Sequence, residues 1–134
     1  MKKEVLKRIF KFLEEKEGHN LPFKWKLFNN LPLTEKDLNV KGDLDLFDSK
    51  IKSLPKGLKV SGILDLFQVE ITSLPDDLQV GGYLNLSNTS ITSLPKGLKV
   101  GGFLYIYKSA LLEYTDEELR EMIKPGFIKG EIIR

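Results

Sequence analysis

The stretch LKVSGILDLFQVEITSLP, residues 58–75, is followed by LQVGGYLNLSNTSITSLP at 78–95 and preceded by LNVKGDLDLFDSKIKSLP at 38–55. The step between these segments is 20 residues each time (78 − 58 and 58 − 38). A fourth segment beginning at Leu98 keeps the register without an insertion. Whole columns agree. One reads Leu38, Leu58, Leu78, Leu98, and another Val40, Val60, Val80, Val100. A third reads Gly42, Gly62, Gly82, Gly102, and two more are Leu44, Leu64, Leu84, Leu104 and Leu46, Leu66, Leu86, Ile106. The coil closes on Ile51, Ile71, Ile91, Leu111 and on Leu54-Pro55, Leu74-Pro75, Leu94-Pro95. A fixed period of this length is the mark of a solenoid, whose single coil cannot bury its own apolar face.

Leu-x-Leu alternates with period two and reads as a strand with both leucines inward. Val-x-Gly just before it extends the same alternation. Proline at the end of each coil leaves the ladder intact, because its missing N–H falls outside the strand. Glycine in one column means either a tight bend or a crowded backbone, and the residues leave both open.

The pattern Leu-x-Val-x-Gly-x-Leu-x-Leu-(x)4-Ile-x-Ser-Leu-Pro resembles the short, 20-residue leucine-rich repeats of bacteria and their phages. It is similar to small solitary phage-encoded repeat proteins and to the repeat portion of secreted bacterial effectors. The resemblance covers about residues 38–112. It implies a leucine-rich-repeat solenoid of about four coils, with a parallel β-sheet, that binds another protein. One departure is clear: where the family carries an asparagine that bonds the turn backbone, this chain has Ser49, Val69, Thr89 and Ser109. Val69 cannot form that bond, so its coil closes another way. A parallel β-helix with two short strands per coil is the alternative geometry.

One domain, 1–134, is expected: an N-terminal cap at 1–37, repeats at 38–112 and a C-terminal cap at 113–134. Val5, Leu6, Ile9, Phe10, Phe12 and Leu13 fall at helical spacing, and Gly18 ends that helix. Bulky apolar residues follow from Leu21 to Leu33. Thr115-Asp116-Glu117-Glu118 predicts a capping box opening a helix that runs through Ile123, stopped by Pro125-Gly126. Phe127-Ile128 and Ile132-Ile133 predict a last strand or plug.

Of the formal net charge of +2, residues 1–33 carry +4 (eight Lys/Arg, four Asp/Glu). Residues 34–114 and 115–134 carry −1 each (nine against ten, four against five). The repeats are thus near neutral. With no cysteine there is no disulfide, thiolate metal site or cysteine nucleophile. The effectors' cysteine-dependent ubiquitin ligase domain has no counterpart here, in length or in residue. The single histidine, His19, lies in a connecting segment, and no phosphate loop, metal cluster or catalytic constellation is present. A non-enzymatic protein without cofactor or metal is expected. Lys7, Arg8 and Lys11 interrupt the first apolar run, so neither a signal peptide nor a transmembrane segment is read, and the expected location is cytoplasmic, the host cytoplasm if phage-encoded.

Strand alternation leaves three outward columns. They are Asp43, Ile63, Tyr83, Phe103; then Asp45, Asp65, Asn85, Tyr105; then Phe47, Phe67, Ser87, Tyr107. The inward columns hardly vary, whereas these do, which suits recognition on a fixed scaffold. Aromatic residues, frequent at binding hot spots, gather toward the C-terminal coils, and aspartates mark the other end. A protein partner with an apolar patch beside a basic one fits, and all of these positions except Ser87 are the candidate contacts. The competing explanation is that such residues only stabilise neighbouring strands. Asp45 and Asp65 are neighbours in one column, and solvated carboxylates explain them better than a cation short of ligands. A structural, self-associating or virion-associated role is the first alternative. Nucleic-acid or membrane-surface binding is the second, through the basic N-terminal helix (Lys2, Lys3, Lys7, Arg8, Lys11) and the turn lysines Lys36, Lys56, Lys59, Lys96 and Lys99. Asp76, Asp77 and Gln79 interrupt that lysine stripe, against a phosphate-tracking surface.

Overall fold

A computed structural model describes residues 23–134, and the helix expected at 5–13, Gly18 and His19 lie outside the described residues. The chain divides at Asp37/Leu38 into two compact units. In the first, helix α1 (Phe23–Phe28) buries Lys26, whose ammonium bonds Asp37 at 2.9 Å. Thr34 and Asp37 cap helix α2 (Glu35–Leu38) reciprocally, Thr34 N–H donating to Asp37 Oδ2 and Asp37 N–H to Thr34 Oγ1. Burial, the largest single influence, raises the Asp37 carboxyl, but the bonds from Lys26 and Thr34 together hold it below its ordinary value.

The second unit is a parallel β-solenoid built from very short strands. One sheet contains β1 (Asn39–Val40), β3 (Lys59–Val60), β5 (Gln79–Val80), β7 (Lys99–Val100) and β9 (Phe127–Ile128). The other contains β2 (Leu44–Asp45), β4 (Leu64–Asp65), β6 (Leu84–Asn85), β8 (Leu104–Tyr105) and β10 (Ile132–Ile133). Register follows the sequence columns: Leu44 pairs Leu64, Leu64 pairs Leu84, and Leu84 pairs Leu104. Val60, Val80 and Val100 stack likewise. Apart from the half-buried Leu38 and Val40, the leucine, valine and isoleucine columns are buried, Leu58, Leu64, Leu84 and Ile106 completely, and form the core.

The alternating run from Val60 to Leu66 is not one strand. The chain bends at 61–63 and delivers its two halves to different sheets, so each coil carries two short strands. The glycine column accounts for this close stacking. Gly62 N–H donates to Gly42 O at 2.9 Å, Gly82 to Gly62 at 2.8 Å, and Gly102 to Gly82 at 3.0 Å. A Cβ on Gly82 would meet the Gly62 carbonyl carbon and oxygen at 3.0 Å. Crowding against the preceding coil therefore favours glycine at 62, 82 and 102, whereas Gly42 has open space at its Cβ position and is explained by its positive φ of 89°.

The turn after the strand closes through the backbone at Ser49, Val69 and Ser109, and through the side chain at Thr89. Ser49 N–H donates to Leu46 O and Val69 N–H to Leu66 O, both at 3.0 Å. This is how the second coil does without a polar side chain at that position. The buried hydroxyls of Thr89 and Ser109 add a bond back to Leu86 O and Ile106 O, at 2.6 and 2.8 Å.

The stack continues past residue 112. After a short 3-10 turn (Ala110–Glu113), Thr115 and Glu118 form the expected capping box on helix α3 (Asp116–Met122). Strands β9 and β10 then extend both sheets, Ile128 beside Val100 and Ile132 beside Leu104. Arg120 of α3 reaches the outer edge of this last layer, donating to Ile128 O and, at 2.9 Å, to Gly130 O.

Candidate partner-binding face

The outer face of the sheet containing β2, β4, β6, β8 and β10 displays the variable columns. Parallel pairing puts Asp45, Asp65, Asn85 and Tyr105 side by side, each between two buried leucine columns. Asp43, Asp45, Phe47, Phe103 and Tyr107 are exposed, whereas Ile63, Asp65, Phe67, Tyr83, Asn85 and Tyr105 are half-buried. Ser87, read from the sequence as outward, is buried at 5% exposure.

Ser87 turns inward because the turn backbone uses it. In three coils the side chain following the first strand leucine accepts an N–H two residues on: Asp45 from Phe47, Asp65 from Phe67 and Asn85 from Ser87, each at 3.0 Å. These are Asx turns, local bonds that aspartate and asparagine make equally well. Tyr105 has no such acceptor. There the Tyr107 N–H donates instead to Ser87 Oγ of the preceding coil, at 3.0 Å. Asp43 also has a backbone task, since its Oδ1 accepts the Ile63 N–H of the next coil at 2.8 Å. The acidic column is thus part of the scaffold as well as of the surface. Among the described residues none of Asp43, Asp45 and Asp65 forms an ion pair.

The aromatic side chains fall into two groups. Phe47 and Phe67 stack with centroids 5.5 Å apart and planes 2° from parallel. Tyr105 stands nearly perpendicular to both Tyr83, at 5.1 Å and 74°, and Phe103, at 6.4 Å and 85°. Such edge-to-face pairs are favoured by the ring quadrupoles. The Tyr83 hydroxyl is raised above its ordinary value, first by desolvation, then by the negative charge of Asp65 and, more weakly, by Tyr105, Asp43 and Asp45. Of the three rings, Tyr83 is the one these carboxylates act on.

The sequence reading gave Ile132-Ile133 as a last strand or plug, which it is, but not its register in this face. Gly130-Glu131-Ile132-Ile133 repeats the role of Gly102-Phe103-Leu104-Tyr105, with Gly130 N–H donating to Gly102 O at 3.0 Å. The offset is 28 residues (132 − 104) instead of 20, because α3 is inserted between the layers. Gly-x-Ile at 130–132, matching Gly-x-Leu at 102–104, was the signal, hidden by the broken period. Away from this face, Leu112–Glu117 and Arg134 line a shallow groove in which Arg134 bonds Tyr114 O and Asp116 Oδ1, both at 2.7 Å.

Of the turn lysines, Lys59 and Lys99 stand exposed on the other sheet with half-buried Gln79 paired between them. Among the described residues no three acidic or histidine side chains are grouped to hold a metal, and no helix is long and apolar enough to cross a membrane. Comparison with protein-family models, with curated proteins and with solved structures finds no match for this chain.

Proposed function

We propose that the protein is a non-enzymatic binding module that engages another protein through the outward face of the β2–β10 sheet. The observation that carries this reading is the cluster of Tyr83, Phe103 and Tyr105. Three aromatic side chains from two successive coils meet on a surface where the core has no use for them. Phe103 keeps 44% of its surface exposed and Tyr107 55%. Large rigid rings bury much area at little entropic cost when a partner covers them.

The finer assignments belong to the same proposal. The 20-residue period and Leu-Pro coil ends support a leucine-rich-repeat relationship, here on coils with two short strands each, and with it a bacterial or phage protein that occludes or docks on a cellular target. Capture from source-cell lysate, read by mass spectrometry, tests the site. Wild type is expected to retain a protein that a folded Phe103→Ser/Tyr105→Ser variant releases. Retention by both would move binding away from this face, and capture by neither would remove the reading.

A further inference from the structure

The chemistry of the partner follows from what covering this face would do to its charges. Asp43, Asp45 and Asp65 each commit one carboxylate oxygen to a backbone N–H, so their positions are fixed. No cation among the described residues neutralises them, and none of the twelve positions in the outward columns from Asp43 to Tyr107 is Lys or Arg. A purely apolar occupant would strip water from three anions and return nothing, which costs several kcal/mol per buried charge. A nucleic acid would add like charge. A second copy docked face to face would meet the same carboxylates and bring no cation. An occupant carrying cations avoids all three penalties.

The ring cluster points the same way. Aromatic faces attract guanidinium and ammonium groups through their quadrupole, and arginine also stacks on them. Tyr83 stands one coil from Asp65, since Leu84 pairs Leu64, so a segment lying along the stack can set one cation on the rings and others on the carboxylates.

We propose that this face receives an arginine-bearing basic segment of the partner protein, its cationic side chains set along the stack against the ring cluster and the carboxylates of Asp43, Asp45 and Asp65. The proposal rests on the protein-binding reading above and specifies what is bound.

The test uses a labelled peptide of alternating glycine and arginine, and the same peptide with neutral citrulline in place of arginine. The full chain should bind the arginine peptide at least about tenfold more tightly than the citrulline one, with affinity falling as salt rises. Asp45→Asn/Asp65→Asn should abolish that difference while leaving the fold intact, because asparagine already makes the same Asx bond at Asn85. Asp116→Asn, outside the outward columns, controls for unspecific attraction and should leave the preference in place. Tyr83→Leu/Tyr105→Leu should weaken binding of the arginine peptide, which a charge-only surface would not do. Equal binding of both peptides, or a preference that survives Asp45→Asn/Asp65→Asn, overturns the proposal. If Asp45→Asn/Asp65→Asn still captures a lysate protein that Phe103→Ser/Tyr105→Ser releases, the face binds a partner but not a cationic one.

Discussion

Single positions in this solenoid can be compared across coils, since each column repeats one environment with different side chains. Ser49, Val69, Thr89 and Ser109 show what that environment accepts. Val69 is buried and its turn closes through the backbone. Thr89 adds a side-chain bond, while the buried Ser49 Oγ has no partner. A buried hydroxyl without a partner costs about 1–3 kcal/mol, more than a methyl group of similar size in the same place. Ser49→Val should therefore raise stability by about 1 kcal/mol, and Thr89→Val should lower it by about 1 kcal/mol. Urea denaturation of the two variants measures this, and the same sign for both would contradict the argument. Tyr105 is legible in the same way. It gives up the Asx acceptor of its column, and Ser87 of the preceding coil supplies the lost bond. One serine is thereby drawn out of the surface that alternation assigned to it.

At the scale of elements, the carbonyl ladder explains how the stack ends. Val80 O accepts the Gly101 N–H and Val100 O the Lys129 N–H, while Gly102 O accepts the Gly130 N–H. The corresponding acceptors of the last layer are Ile128 O and Gly130 O, and both receive the Arg120 guanidinium. Arg120 thus substitutes for the backbone of an absent next coil. Its planar fork of donors reaches two carbonyls at once, which a lysine ammonium on one flexible stem does poorly. Arg120→Ala leaves a strand edge with unpaired acceptors, the kind of edge along which chains associate. The expected outcome is a loss of about 2 kcal/mol in stability and concentration-dependent association in sedimentation velocity, with Arg120→Lys intermediate. A variant that stays monomeric and melts like wild type would refute the role.

For the repeat unit as a whole, each layer contacts only its neighbours, so its stability should be a sum of similar local couplings and its ends should open first. Amide hydrogen exchange reads this directly. The Gly82 N–H, bonded to Gly62 O within the stack, should be protected about tenfold or more over the Gly130 N–H in the last layer. Uniform protection would mean that residues 38–134 open only as one block. The proposed face belongs to the same scale. It exists only once several coils are stacked, since Tyr83 and the Phe103/Tyr105 pair come from different repeats.

The amino-acid sequence by itself determined the solenoid, the inward columns, the capping box at Thr115 and most of the outward positions. The capping box is a local i, i+3 pair, and the others depend on a period of 20 or of two, which survives in one dimension. Tertiary structure decided what depends on the approach of one coil to the next. The glycine column could have meant bending or crowding, and only the contact between stacked backbones distinguishes them. Splitting of the Val-to-Leu run into two sheets, inward rotation of Ser87 and the termination by Arg120 have the same origin. The glycine and Ser87 bonds join residues one period apart, so periodicity names the partners but not how closely their backbones approach, and Arg120 reaches carbonyls 8 and 10 residues on, outside any period.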